Sequence, residues 1–150
     1  MINLALYHPQ IPQNAGTLLR LGSCLGIFID IIRPIGFICE DKRLRRAGMD
    51  YIPTSNYTVY NSFDIFHAFY EKRRLIALDV GENSVPYHTF EYLSDDILVV
   101  GSEHYGFLEQ DLEKMQHRVK IPMLPQRRSL NMAIAASIVV GEAMKQLNLY

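Results

Sequence analysis

Two rhythms of apolar and polar positions alternate along the chain. Short runs dense in β-branched and aliphatic residues, "INLALY" (2–7), "IFIDII" (27–32), "LIALDV" (75–80) and "DILVVG" (96–101), are bounded by polar turns and read as buried strands. Between them lie stretches with helical spacing. "NAGTLLRLGSCLG" (14–26) turns Leu18, Leu19 and Leu25 inward and stops at Gly26. "EDKRLRRAG" reads as a short charged helix ending at Gly48, and "NSFDIFHAFYEK" as an amphipathic one with Phe63, Phe66 and either Phe69 or Tyr70 on one side. "EQDLEKMQ" is predicted helical, "VKIPM" extended, and the last helix covers about 131–147. Strands that alternate with helices predict an α/β domain with a mostly parallel sheet flanked by helices. In such sheets ligands sit beyond the carboxyl ends of the strands. That draws attention to residues 78–81, 101–107 and 121–128.

The last helix breaks the amphipathic pattern. From Met132 to Val140 its only polar side chain is Ser137, and Ala133, Ala135, Ala136, Gly141 and Ala143 keep it slim. A helix apolar on every face must be buried on every face. One subunit of this size offers it too little wall, so a homodimer packed through this helix is expected.

Composition adds limits. A chain of 150 residues, 49% hydrophobic, supports one domain spanning 1–150 with a full core. The N-terminus lacks the basic and long apolar parts of a signal peptide, and no apolar run approaches the ~18–20 residues of a membrane span. A cytoplasmic protein with no membrane partner is expected, its Cys24 and Cys39 reduced. The formal net charge of −1 argues against a sequence-blind nucleic-acid coat. The basic residues are nevertheless clustered: Lys42, Arg43, Arg45 and Arg46 fall together, and Arg127 and Arg128 form a second group. Such a cluster is more often a solvated helix face; the other reading is a phosphate grip with a salt-dependent attraction to RNA. The histidines His8, His67, His88, His104 and His117 show no metal-binding spacing, there is no CxxC, and no metal is expected. No GxSxG elbow and no GxGxxG fingerprint occur, which disfavours an esterase and a nicotinamide oxidoreductase.

Three segments carry candidate chemistry. In "PQNAGTLLR", Asn14 reads either as an N-cap beside a surface Arg20, or with Arg20 as an amide and a guanidinium aimed at one anionic ligand. In "VVGSEHYGF", a strand ends at Gly101 and two glycines bracket Glu103, His104 and Tyr105; the segment reads equally as a plain turn or as a loop bent around a small molecule. In "IPMLPQRRSLN", Ser129 or Asn131 is the expected cap of the last helix.

Taken in this order, the three segments look like the signature motifs of the SPOUT methyltransferases, enzymes that take a methyl group from S-adenosyl-L-methionine and leave S-adenosyl-L-homocysteine. "LYHPQIPQNAGTLLRL", "IIRPIGF" and "DKRLRRAGMDY" are similar to the small TrmL-like tRNA (cytidine/uridine-34) 2′-O-methyltransferases, and the resemblance spans essentially all 150 residues, which implies a single domain with no appended RNA-binding domain. It implies a C-terminal trefoil knot, which pattern reasoning alone would reject, and a last helix passed through a loop and buried in a homodimer. It implies a cofactor pocket at Leu78, Gly101, Glu103, Ile121, Met123, Ser129 and Leu130, and catalytic or organising roles for Asn14, Arg20, Ser129 and Asn131. The implied partner is a tRNA anticodon loop, held by Lys42, Arg43, Arg45, Arg46 and Arg128, with the wobble ribose as methyl acceptor. A methyltransferase for another tRNA or rRNA ribose, or a catalytically idle RNA-binding dimer, are the alternatives. The chain departs from the group's pattern in places. Its second motif reads "GSEHYGF" where relatives usually read something like "GPETRGL", and Ala133, Ile134 and Gly141 replace the usual Ser-Asn pair and tyrosine of the third.

Overall fold

The computed structural model describes residues 1–37 and 57–149. The expected charged helix and the basic cluster Lys42, Arg43, Arg45 and Arg46 lie outside the described residues. Seven strands form one parallel sheet: β1 (Asn3–Tyr7), β2 (Phe28–Ile32), β3 (Tyr57–Tyr60), β4 (Leu75–Leu78), β5 (Val85–Pro86), β6 (Ile97–Val100) and β7 (His117–Lys120). Their spatial order is β3-β2-β1-β6-β4-β7-β5. Four helices are described: α1 (Pro12–Leu25), α2 (Phe63–Phe69), α3 (Glu109–Leu112) and α4 (Met132–Gln146).

β1 is buried at every position because the sheet is covered on both faces. Period-two alternation splits its side chains. Leu4 and Leu6 join a core with α1 and α4, while Ala5 and Tyr7 join a second core with Phe63, Phe66 and Leu112. The chain builds outward from β1 through β2 to β3, then returns to lay β6 on the other side of β1. The order therefore reverses between β1 and β6. Loops leaving the two strands diverge there and open a crevice at their carboxyl ends.

The structure shifts several expected boundaries. α1 begins two residues early because Pro12, fixed near helical φ, occupies its first turn. Asn14 is thus inside the helix and buried, not its cap; Ile11 holds that position with no side-chain bond. Gly26 ends the helix in the left-handed region at φ 69°, as expected of a C-terminal glycine. In α2 the packing residue is Tyr70, not Phe69, which is 69% exposed. The expected "EQDLEKMQ" helix stops after one turn at Leu112. "YTVY" and the short "VP", which carried no strand expectation, complete the sheet edges as β3 and β5. No described helix is long and apolar enough to cross a membrane.

Beneath the sheet, Asp30 of β2 is fully buried. Tyr70 donates its hydroxyl to Oδ1 at 3.2 Å and Asn3 its amide to Oδ2 at 3.3 Å. Burial outweighs these donors and pushes the carboxyl up to about 6. Between pH ~4 and ~6 the folded state therefore holds a proton that the unfolded chain has released. Asp30 stabilises fully below that window and loses its contribution as pH rises through it. Comparing urea unfolding at pH 4 and pH 7, Asp30→Asn should remove roughly 2–3 kcal/mol of the wild-type loss. Identical pH dependence in the two proteins would contradict this.

Candidate functional site

The site grows out of the crevice between β1 and β6. At the end of β6 the chain makes a tight loop, 102–106, closed by reciprocal bonds of 2.8 Å between Ser102 and Gly106. A Cβ on Gly101 would lie 2.9 Å from the Gly106 backbone, so only glycine allows the loop to fold back this closely.

The carboxylate of Glu103 fastens this loop to α1. Oε2 accepts from the Gln10 N–H at 2.8 Å; Oε1 accepts from the Ile11 N–H at 3.1 Å and from the Asn14 amide at 3.0 Å. An anion here satisfies N–H groups at the start of α1 and complements its dipole, doing what Ile11 cannot. Asn14 passes the connection on. Its Oδ1 accepts from the Asn131 amide at 2.9 Å, and the Asn131 Oδ1 caps α4 by accepting from the N–H groups of Ala133 and Ile134. One chain of amides and a carboxylate thus joins all three sequence motifs. Of the two expected caps for the last helix, Asn131 is the one used.

The cavity over this network has a volume of about 820 Å³. Loops leaving β4, β6 and β7 wall it, together with the first turns of α1 and α4. Leu78, Gly101, Glu103, Ile121, Met123, Arg128, Ser129, Leu130, Asn131 and Asn14 all line it. Leu78, Ile121 and Met123 give an apolar side, while Asp79, Glu82, Arg118 and Lys120 add charge of both signs. The carboxylate of Glu103 is spent on protein donors, so this residue shapes the pocket by holding α1 and the loop together.

Arg20 is not among the lining residues. Six positions beyond Asn14 on a helix, it lies about 9 Å further along and about 120° round, and it faces solvent. Sequence reasoning missed a second pair. His8, directly after β1, places Nδ1 2.6 Å from the Tyr105 hydroxyl. Its position at the carboxyl end of a strand was the available signal, but nothing in spacing links residues 97 apart.

A parallel sheet with a reversal of strand order, carrying at that point a cavity pinned by three motifs, defines the class of α/β proteins that hold ligands at a topological switch point. The chain belongs to the SpoU rRNA Methylase family, whose model matches residues 1–141. It is 46% identical over 146 residues to the tRNA (cytidine(34)-2′-O)-methyltransferase of Beijerinckia indica, covering 96% of this chain and 91% of that one. It is similar to a solved structure described as giving insight into 2-OH methylation of C/U34 on tRNA, with a TM-score of 0.91, 35% identity and coverage of 99% and 97%. An AdoMet-bound rRNA methyltransferase from Sinorhizobium meliloti matches with a TM-score of 0.79 and 25% identity, over 97% of this chain and 56% of that one.

Proposed function

We propose that this protein is an S-adenosylmethionine-dependent tRNA 2′-O-methyltransferase acting on the wobble ribose, C34 or U34. The observation that carries the reading is the convergence of the three motifs on one cavity, in a chain similar end to end to enzymes of that name.

The residues present fit the cofactor. The cavity volume lies within the ~300–1,000 Å³ usual for such ligands. Its loops offer backbone donors and acceptors beside Leu78, Ile121 and Met123, which suits an adenine edge in an apolar slot. When bound, S-adenosylmethionine supplies a methyl group already activated by its sulfonium, so no metal is required. The chain's part is positioning: the Glu103–Asn14–Asn131 network holds the loops at fixed separation and the apolar wall excludes water. Arg20 holds a substrate phosphate and stabilises the developing 2′-alkoxide, because a guanidinium keeps its proton at working pH and accepts one poorly; the 2′-OH proton leaves to water. Lys42, Arg43, Arg45, Arg46 and Arg128 supply salt-dependent attraction to the anticodon loop. The same reading carries the C-terminal trefoil knot and a cytoplasmic setting, where tRNA is found.

It also carries a homodimer through α4. Met132, Ala136, Val139, Val140 and Ala143 are buried within the chain, yet Ile134 is 55% and Ile138 36% exposed, one turn apart on the same face. This exposed stripe is the remainder of the all-round apolar pattern, and a second copy is its occupant. A charge placed there should separate the copies: Ile134→Glu is expected to shift the molecular mass by light scattering from about twice the chain mass toward one. An unchanged mass would remove α4 from the interface.

The decisive assay uses labelled S-adenosylmethionine and bulk tRNA lacking wobble ribose methylation. Label on the 2′-O of nucleotide 34 supports the reading. Label on another tRNA or rRNA ribose keeps the chemistry and discards the wobble assignment. No label from protein that binds S-adenosylhomocysteine would indicate an idle RNA-binding dimer.

A further inference from the structure

Tyr105 stands on the rim of the cavity with 48% of its surface exposed, beside His104 and the half-exposed Leu108. Most exposed aromatic rings swing between rotamers, but this one is anchored. Its hydroxyl is 2.6 Å from Nδ1 of His8, and His8 is only 5% exposed. His8 is itself fixed. It sits at φ 49°, a left-handed backbone that few non-glycine residues adopt, and its ring stacks on Tyr7 at 3.7 Å between centroids. Tyr7 in turn donates its hydroxyl to Asp111 at 2.6 Å.

Burial holds the pKa of His8 below its ordinary value, so the ring is neutral near pH 7 and carries one N–H. A hydroxyl both donates and accepts, so Tyr105 bonds Nδ1 in either tautomer of the neutral ring. Two positions earlier, Glu103 is tied to the start of α1 by three donors, and Ser102 and Gly106 close the loop between them. Both flanks of Tyr105 are therefore fixed before any ligand arrives, and the rotamer entropy of ordering the ring is spent on folding.

We propose that Tyr105 is a specificity-determining residue, a stacking platform for a nucleobase of the RNA next to the reacting ribose, with His8 as the residue that positions it. This rests on the RNA methyltransferase reading above. Bases of a single-stranded loop splay out, and a rigid ring on the rim of the pocket offers them a flat apolar face. The interior side of the cavity, at Leu78, Ile121 and Met123, is left to the cofactor.

The test is steady-state methyl transfer to an anticodon stem-loop by wild type, Tyr105→Ala, Tyr105→Phe and His8→Ala, with S-adenosylhomocysteine affinity measured in parallel. Tyr105→Ala should raise KM for RNA about tenfold, in the range of one lost base stack, and leave cofactor affinity unchanged. Tyr105→Phe keeps the ring and loses the anchor, so a rise of roughly two- to threefold is expected. His8→Ala should add nothing to that rise in the double variant, since both remove the same hydrogen bond. Substrates abasic at nucleotides flanking the target complete the cycle: one of them should be methylated equally by wild type and Tyr105→Ala. An unchanged KM in Tyr105→Ala would overturn the proposal. So would a parallel loss of cofactor affinity, which would place Tyr105 in the cofactor pocket. Wild type inactive on every RNA would instead overturn the methyltransferase reading, and the platform with it.

Discussion

Arg20→Ala is expected to lower methyl transfer by at least about a hundredfold while leaving S-adenosylhomocysteine affinity unchanged. The size follows from what one preorganised cation contributes to a developing oxyanion, roughly 3–4 kcal/mol in a water-poor site. The separation of the two effects follows from geometry, since Arg20 lies outside the cavity of its own chain. Single-turnover transfer with labelled cofactor reads the first quantity and calorimetric titration the second. Loss of cofactor binding in the variant would mean that Arg20 supports the pocket and does not act at the ribose. Its solvent-facing place on α1 adds a sharper expectation. In a dimer, Arg20 serves the cavity of the other copy.

Gly101→Ala should have the opposite profile. A single methyl group would meet the Gly106 backbone at 2.9 Å, and backbone cannot swing aside as a side-chain tip can. The reciprocal Ser102–Gly106 bonds must lengthen or break, and Glu103 and Tyr105 move with them. Overpacking of this kind costs about 1–3 kcal/mol, so affinity for S-adenosylhomocysteine should fall by roughly ten- to a hundredfold. Circular dichroism should still report a folded protein, because the Cβ points at a surface loop and not into the sheet. Normal affinity in Gly101→Ala would show that the loop gives way freely and is no part of the pocket's frame. The two variants also combine. A dimer of one Arg20→Ala chain and one Gly101→Ala chain keeps one intact pocket with one intact guanidinium facing it. Activity recovered on mixing two weak proteins would establish that each site is built from two subunits; no recovery would place Arg20 at its own chain's site.

Much of the fold was legible because the physics behind it is local. Strands such as "INLALY" and "DILVVG" are apolar at nearly every position since a parallel sheet buries both faces, and that requirement is written residue by residue. The helix α4 was legible for the same reason, and of the two caps its sequence offered, Ser129 and Asn131, the fold uses Asn131. Elements with little local signal were lost. "YTVY" is short and alternates weakly, and it becomes β3 only because the edge of β2 offers it a register from Ile29 to Ile32. "EQDLEKMQ" has good helical composition, but the chain is needed as β7 three residues after Lys114, and the helix is cut to one turn.

The site divides along the same line. By itself the sequence determined which residue types gather at the carboxyl ends of strands, and its resemblance to a known family named the three motifs. Periodicity and turn chemistry act over a few residues, and that is the range over which a sequence can be read. What each side chain does there was decided by tertiary structure. Glu103 reads as a ligand-loop acid, yet its oxygens close the start of a helix more than ninety positions away. Asn14 reads as a cap and is instead the link between Glu103 and Asn131. His8 carries no signal beyond its place at the carboxyl end of β1 until β1 and β6 lie side by side and bring it against Tyr105. Such contacts are set by the pairing order of the strands, a global property in which no single segment holds the information.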